Sequence, residues 1–553
     1  MNSPLQQALL SPASALWRWI DLNILSLGRE MRLTYLPPLM VYAAAGISGL
    51  TSIVGTFYVK ERLGLSAEFL AALGFWAMLP WALKMPLGHL VDLMWRWKSW
   101  LVYAGASLIA LSMVIMILLL GHTSAMLAIA PAGTWYVAAA LLAPIGYVLQ
   151  DVVADAMNVE AGPRVDAQGN EIGLEQRNSM HTTLQTLGRV AIIGGGVLVS
   201  VVNVYLLRGV GALPMEEKGQ VYQLIYELAL VIPVVSVLGV ALAALLRARA
   251  VRQLLSSGHS RREAEALVDV RGAERPPVNW WILGGGLAFT VVSVGVGLSD
   301  IGLGQELVFA LSMAIVIFLI VKLTRELEPE ARHVLVGTAI VVFAFRALPG
   351  PGAGSTWWMI DVLGFDQQFL AELSLIASTL TLLGMFIFRR FMAENSIAYV
   401  VGFLTVAGTL LWLPNIGMYY GLHEWTAAVT GGVVDARFIA LIDTALESPL
   451  GQIAMIPMLA WIANSAPDRL KATFFAVMAS FTNLALSASQ LSTKYLNKLF
   501  IVTREVTDPA TGAIVVAADY SELGWLLITA AVIGFVLPFA AILFVKTTRF
   551  RNA

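Results

Sequence analysis

Four ionisable residues lie in otherwise apolar stretches of this chain, namely Lys84, Asp151, Asp155 and Arg189. An unpaired charge inside a bilayer costs about 2.5 to 3.5 kcal/mol by insertion scales, so Lys84 should face a protein partner or a water-filled cavity. Asp151 and Asp155 are four residues apart and therefore share one helix face, one turn from each other. Two carboxylates that close repel each other, and such a pair can take up and release a proton. We therefore predict that this group binds a proton or an ionic ligand.

Two plainer interpretations of the same residues remain open. Lys84 would then reach the lipid headgroups from near the cytoplasmic end of its helix. Asp151 and Asp155 would be solvated at the cytoplasmic mouth, or would pair with Lys84 and Arg189 and only hold helices together.

The C-terminal part of the chain repeats the pattern. Asp443 and Glu447 are again four residues apart, Arg437 precedes them on the same predicted helix, and Arg346 precedes a Leu-Pro-Gly-Pro-Gly segment. The alternation of spans places them toward the outer side, and one ionic cluster at each mouth would let one mouth open while the other stays shut. For Asp443 and Glu447, both a gate and a binding site remain open. We assign the gate role to two further acids, Asp92 and Glu160.

Polar and aromatic residues near these charges are further candidates for binding a flat polar heterocycle. The polar ones are Gln452, Ser480, Asn483, Ser487 and Gln490, and the aromatic ones are Trp76, Trp81, Trp357 and Trp358. The alternatives are hydrogen bonds between helices, worth around 0.6 kcal/mol each, and tryptophans at the membrane interface.

The composition is that of a membrane protein. The chain is 58% hydrophobic and only 13% charged, with a mean hydropathy of +0.76, and a soluble domain of this composition would expose too much apolar surface. There is no cysteine, which excludes disulfides and thiolate metal sites. Motifs for zinc peptidases, nucleotide phosphate loops and serine hydrolases are also absent. We predict that the chain is not an enzyme and that it uses no cofactor, no metal and no nucleic acid.

Apolar runs of about 20 residues predict about fourteen transmembrane helices in an all-α polytopic fold. A cytoplasmic segment (1–34) precedes a first half of six spans (35–246). A polar, arginine-rich linker (247–278) and two inserted helices (279–323) separate it from a second half of six spans (324–553).

The distribution of lysine and arginine supports this topology with both termini inside. Of the 35 basic residues, 24 fall in segments predicted to be inside and 7 in segments predicted to be outside, as the positive-inside rule requires. Losing one span would invert every later loop and destroy the pattern, so an even number of spans is favoured.

Two related halves suggest a site near the middle of the membrane between them. Gly88-x-x-x-Asp92, followed by Arg96 and Lys98 in the second predicted cytoplasmic loop, resembles the signature of the major facilitator superfamily. We therefore expect the major facilitator fold, with two six-helix halves and two inserted helices.

Several segments together resemble the folate-biopterin transporter family within that superfamily. They are Phe57 to Ser66, Leu79 to Gly88, the acidic segment Asp151 to Glu160, the segments beginning at Phe345 and Val362, and Gly451 to Leu484. The resemblance implies uptake of folates or reduced pterins with protons. It places Lys84, Asp92, Asp151, Asp155, Arg346 and Asp443 among the functional positions. The chain departs from the family pattern at Met85, in its Trp-Arg-Trp-Lys loop and in the two inserted helices.

The inserted helices and the acidic segment also resemble the muropeptide permeases of bacteria. Our preferred function is therefore proton symport of folate or pterins by a monomer in contact with membrane lipid. The alternatives are a permease for another amphipathic anion, such as a muropeptide, and a membrane assembly factor that transports nothing. We expect the bacterial inner membrane, with the plastid envelope as the alternative location.

Overall fold

The structure is a computed structural model that describes residues 17–161, 172–268, 278–299, 301–325, 328–453, 471–507 and 513–548. Helices dominate it because a bilayer offers no water to the backbone, so each N–H and C=O must be bonded within its own segment. The predicted all-α polytopic membrane protein is confirmed.

The helices of the first half and of the following linker are α1 (Ser26–Arg29), α2 (Leu36–Gly46), α3 (Ser52–Arg62), α4 (Ala67–Met78), α5 (Lys84–Leu93), α6 (Ser99–Gly121), α7 (Thr123–Leu127), α8 (Ala132–Ala161), α9 (Leu174–Leu206), α10 (Met215–Ala229), α11 (Val231–Ser256) and α12 (Arg261–Val268). A π-helical turn at Asp21–Leu25 precedes α1. Short 3-10 turns join α2 to α3 and α4 to α5.

The later helices are α13 (Trp280–Gly297), α14 (Gly304–Thr324), α15 (Pro329–Arg346), α16 (Ala353–Asp361), α17 (Gln367–Ile387), α18 (Arg389–Glu394), α19 (Ile397–Tyr419), α20 (Leu422–Val429), α21 (Ala436–Glu447), α22 (Lys471–Leu499) and α23 (Leu523–Thr547). Strands β1 (Val506–Thr507) and β2 (Ile514–Val516) pair antiparallel between α22 and α23.

Eleven stretches of the described residues are long and apolar enough to cross a membrane. They include α13 and α14, but not α15, α21 or α22, whose sequences we also predicted to be spans. The predicted span at 436–463 continues beyond α21 into residues outside the described part. Parts of the predicted 1–34 segment and of the 247–278 linker also lie outside it. The count of about fourteen therefore stays a prediction.

The two halves meet along two pairs of helices. Helix α4 packs against α22, and α9 packs against α17. In the second pair, the hydroxyls of Ser200 and Ser374 lie 3.0 Å apart across the seam. Lys84, Asp151, Asp155 and Arg189 lie on the first half's α5, α8 and α9, and Arg346 is at the end of α15 in the second half.

The second span is broken where it approaches this seam. A 3-10 turn runs from Leu79 to Leu83 with Pro80 at its start, and α5 begins at Lys84 with Pro86 in its first turn. Proline is tolerated at a helix start because the N–H groups there have no partner within the helix. The break therefore fixes Lys84 at a helix N-terminus.

Polar residues of the second half bond to the backbone freed by this break. Ser480 accepts a hydrogen bond from the N–H of Met85 at 3.2 Å, and Asn483 donates to the carbonyl of Trp81 at 3.4 Å. Two of the polar residues predicted on α22 thus join the halves through backbone contacts.

The inserted pair α13 and α14 packs against both halves. Helix α13 contacts α5, and α14 contacts α22. At Gly286, a Cβ would lie 2.5 Å from the Cβ of Pro86, so only glycine allows this approach. Glu306 on α14 accepts hydrogen bonds from Lys494 at 3.0 Å and from Tyr495 at 2.6 Å.

Candidate functional site

The centre of the candidate site is an ion-pair cluster around Lys84. Its Nζ lies 2.6 Å from Oδ2 of Asp151 and 2.8 Å from Oδ2 of Asp155. The side chains of Lys84 and Asp151 are 19% and 16% exposed, whereas that of Asp155 is 44% exposed. The four-residue spacing on α8 therefore presents both carboxylates to one ammonium group, and Asp155 is the one that solvent reaches more easily.

Tyr42 on α2 is a second side chain that holds Asp155, through a hydrogen bond. Its hydroxyl donates to Oδ1 of Asp155 at 2.7 Å and accepts from Nδ2 of Asn158 at 2.7 Å. A Cβ on Gly188 would lie 3.0 Å from the Tyr42 ring, so α9 approaches this ring closely. Sequence reasoning missed Tyr42 because nothing in its apolar surroundings indicates that its hydroxyl meets α8.

Two arginines extend the cluster across the seam. Arg189, one residue after Gly188 on α9, is within electrostatic range of both Asp151 and Tyr42. Arg346, at the end of α15, is in turn within electrostatic range of Arg189. We grouped Arg346 with the acids of the second half, and in the structure its charge also interacts with that of a basic residue of the first half.

The combined group holds three basic and two acidic side chains. Opposite charges hold Lys84, Asp151 and Asp155 together, whereas the two guanidinium groups repel each other. The planar guanidinium group of an arginine offers N–H donors in a fork that binds carboxylates well. An anion between Arg189 and Arg346 would therefore be attracted by both halves at once.

The predicted gate acids lie at one end of α5 and α8. Glu160 accepts from Nζ of Lys98 at 2.6 Å, and the same ammonium group lies 4.3 Å from the centre of the Trp95 ring. Asp92 lies in the last turn of α5, just before this loop. Glu160 and Lys98 belong to the same half, so this pair holds the loop to α8, and the gate role stays a prediction.

Asp443 and Glu447 on α21 lie apart from the Lys84 cluster. Asp443 is 7% exposed, and its Oδ2 accepts from Nδ2 of Asn415 at 2.6 Å. Its Oδ1 is buried without a hydrogen-bond partner among the described residues. Glu447 is exposed at the end of the helix, and Arg437 instead donates to the carbonyl of Gly364 at 3.1 Å. The choice between site and gate for these acids stays open.

The remaining polar and aromatic candidates are spread along the seam. The Oε1 atom of Gln490 would lie 2.6 Å from a Cβ on Gly74, so α22 and α4 approach closely there. Ser487 is fully buried and its hydroxyl has no partner among the described residues, while Gln452 is partly buried. Among the tryptophans, Trp357 and Trp358 are buried. Trp76 packs against Gly297 of α13, where an added Cβ would lie 3.4 Å from its ring.

A further network, on the side that the predicted topology places outside, was missed by sequence reasoning. Lys60 on α3 forms an ion pair with Asp361 on α16, which also accepts from the hydroxyl of Tyr520 at 2.5 Å. Nearby, Gln367 donates to the hydroxyl of Tyr222 at 2.8 Å. Both contacts join the two halves. For the ion pair, the available signal was the charge near the end of each helix, whereas the sequence gives no signal for the contact between Gln367 and Tyr222.

Comparison with known proteins gives these features a context. The BT1 family matches residues 45–550. The folate-biopterin transporter of Synechocystis is 22% identical over 463 residues, which cover 81% of this chain and 71% of that protein. A protein of Plasmodium berghei named as a folate transporter is 23% identical over 157 residues, 27% of this chain and 32% of that protein.

Solved structures share the fold at low sequence identity. A POT family transporter in complex with a thioalcohol-conjugated peptide gives a TM-score of 0.56 at 12% identity, covering 94% of this chain and 96% of that one. A mutant of a peptide transporter POT in complex with alafosfalin gives 0.54 at 16% identity, covering 94% and 95%. These matches confirm a fold of the major facilitator type, while the number of helices and their topology stay predictions. The family and the named relatives confirm the predictions of a transporter and not of an enzyme. The chain belongs to the BT1 family, as its resemblance to folate-biopterin transporters predicted.

Proposed function

We propose that this chain carries folate or reduced pterins across the membrane in symport with protons, by alternating access to a site between its halves. The observation that carries the proposal is the Lys84, Asp151 and Asp155 cluster beside Arg189 and Arg346. The name of the Synechocystis relative supports the choice of cargo.

The basic groups suit an anionic cargo. Folates carry carboxylates on a flexible glutamate, and Arg189 and Arg346 can each bind a carboxylate through two parallel hydrogen bonds. Because the two arginines belong to different halves, a bound carboxylate would reduce their repulsion and stabilise the state in which the halves approach. Binding of the cargo would thus favour the conformational change that transports it.

The two aspartates suit proton coupling. Lys84 contacts both carboxylates, so protonation of the more exposed Asp155 would leave the Lys84 and Asp151 pair intact. The cluster would then gain one positive charge just where the anion binds. Each proton moved inward gains about 2.3 kcal/mol per 100 mV, and this gain offsets the cost of moving one negative charge of the cargo in the same direction.

The proposal also covers the oligomeric state, the membrane and the gate. We place the chain as a monomer in the cell (inner) membrane, with residues 279–323 as an inserted pair between the two halves. Asp92 and Glu160 would act as a gate on the inner side.

Counterflow in proteoliposomes tests the cargo separately from energy coupling. Vesicles loaded with unlabelled 5-formyltetrahydrofolate should take up labelled folate through the wild-type protein, and Arg346→Ala should abolish this exchange. Arg261→Ala is the matched control, because Arg261 is exposed and pairs with Glu265 on its own helix.

A parallel experiment with an anhydromuropeptide decides between the cargoes. Exchange of the muropeptide without exchange of folate would refute the folate proposal and leave a permease for another amphipathic anion. If neither compound exchanges, the chain does not transport either one, and the assembly-factor alternative gains support.

A further inference from the structure

A cavity of about 460 Å³ lies in the first half, on the predicted outer side of the Lys84 cluster. It is lined by the 3-10 turn between α2 and α3 and by α3, α4, α6, α8 and α10, and Trp357 of the second half lies on one side. Its polar lining consists of hydroxyl groups, chiefly those of Ser48, Thr51, Thr56, Tyr136, Tyr147 and Tyr226. None of the described residues that line it is charged, so it suits a neutral group with a polar edge.

Tyr147 indicates that this cavity takes a hydrogen-bonding ligand. Its side chain lines the cavity, and its hydroxyl is buried without a hydrogen-bond partner among the described residues. Ser48 is close to this hydroxyl, and because it donates to the carbonyl of Ala45 at 2.7 Å, its oxygen can only accept from Tyr147. The Tyr147 oxygen therefore keeps its lone pairs for a donor group of a ligand in the cavity.

The cavity and the charged cluster follow each other along two helices. Ala143 and Tyr147 line the cavity, and Asp151 and Asp155 follow on α8 at four-residue steps, each of which turns about 40° around the helix axis. Each step rises about 6 Å along the helix axis. The second span shows the same order, with Gly74 and Ala77 lining the cavity before Lys84. A molecule about two helix turns long would therefore reach from the cavity to the charges.

We infer that this cavity binds the uncharged aromatic ring of an elongated anion whose carboxylate end lies at Lys84, Arg189 and Arg346. The inference rests on the proposed function and adds a separate subsite for the pterin ring. Tyrosine rings and the thioethers of Met113 and Met116 offer flat and polarisable contacts for such a ring. The volume is within the range of small-molecule pockets.

Binding of matched fragments to the purified protein tests the subsite. The probes are folate, 6-hydroxymethylpterin, which is the ring alone, and p-aminobenzoyl-glutamate, which is the tail alone. Tyr147→Phe and Ala143→Leu should weaken folate and pterin binding about tenfold, which corresponds to 1.4 kcal/mol, and should change tail binding less than twofold. Tyr205→Phe is the control, because Tyr205 is 79% exposed on α9.

A labelling experiment avoids dependence on variants that fold poorly. The chain has no cysteine, so Ala140→Cys introduces a single thiol into the cavity lining. The pterin should protect this thiol from a methanethiosulfonate reagent, and the tail should not.

The outcomes separate the two proposals. If pterin and folate bind to the wild-type protein but Tyr147→Phe and Ala143→Leu have no effect and the thiol stays reactive, the subsite is wrong while the proposed function stands. Equal weakening of all three probes also overturns the subsite, since it indicates a general structural effect. If the wild-type protein binds none of the three probes, the proposed function and the subsite fall together.

Discussion

Lys84 is held by two carboxylates that would otherwise repel each other across one helix turn. Each of the two acids also has different surroundings. Asp155 accepts from Tyr42 and is the more exposed, whereas Asp151 is more deeply buried. Breaking a buried ion pair by removing one partner leaves a charge unbalanced. Because Lys84 has two partners, it keeps one of them when the other is neutral.

This difference predicts separate effects on coupling and on binding for Asp155→Asn. The amide can still accept from Tyr42 but can bind no proton, so proton-driven uptake of folate should be lost while exchange persists. With the membrane potential held at zero, one coupled proton supports accumulation of about tenfold for each pH unit of the imposed gradient, and the variant should reach a ratio of one. Uptake driven by an imposed proton gradient, compared with counterflow in the same vesicles, measures both quantities.

Asp519→Asn is a suitable control for this substitution. Asp519 is in the loop before α23, where hydrogen bonds from Ser521 lower the pKa of its carboxyl group. Its carboxylate therefore stays ionised through the pH range of a transport assay, and its replacement should leave uptake unchanged. Equal loss of uptake and exchange in Asp155→Asn would contradict proton coupling and would assign Asp155 to binding or folding.

At the scale of helices, the break in the second span decides where the charges lie. The 3-10 turn after Pro80 ends at Lys84, and the freed backbone groups bond to Ser480 and Asn483 of the other half. A continuous helix would have bonded its own backbone and made no such contacts. The broken segment therefore positions Lys84 and also forms a hydrogen-bonded contact between the halves.

How much could be predicted from the sequence depends on how far apart along the chain the interacting residues lie. The pairing of Asp151 and Asp155 toward one partner follows from helical periodicity within a few residues, and the helices themselves follow from long apolar runs. The approach of Arg346 to Arg189 and the contact of Tyr42 with Asp155 depend on how separate helices pack. No local pattern around Arg346 or Tyr42 records that packing, so Tyr42 and the interaction of Arg346 with Arg189 were missed.

The inserted pair offers a test of how far the halves depend on it. Any Cβ at Gly286 would overlap the Pro86 ring, so Gly286→Leu must push α13 away from α5. Overpacking of this kind costs about 1 to 3 kcal/mol. We expect a lower thermal stability in detergent and counterflow slowed by up to about tenfold, with folate affinity little changed.

Gly284→Leu is the matched control on the same helix, since a Cβ there meets nothing within 4 Å. It should leave both stability and counterflow near the wild-type values. If Gly286→Leu also leaves both unchanged, the pair is a peripheral addition that does not constrain the two halves.

At the scale of the whole molecule, the contacts between the halves are polar at the predicted outer side. The Lys60 and Asp361 ion pair and the Gln367 to Tyr222 hydrogen bond both cross the seam there. Burial and the neighbouring carboxylate of Asp361 raise the pKa of the Tyr520 hydroxyl, which therefore stays protonated and donates to Asp361. In the proposed alternating-access cycle, these bonds would break whenever the outer side opens, and they would set part of the balance between the two states.

Removing the Lys60 and Asp361 pair should therefore shift the protein toward a state open on the outer side. A loss of about 1.4 kcal/mol from the closed state would raise the open fraction about tenfold. Because the chain has no cysteine, spin labels at Arg208→Cys and Val433→Cys, both on exposed loops, report the distance between the halves directly. Lys60→Met and Asp361→Asn should each populate longer distances, and the charge swap Lys60→Asp with Asp361→Lys should restore the shorter ones, since it rebuilds the attraction. Distances that stay the same in both single variants would mean that this ion pair does not hold the outer side closed.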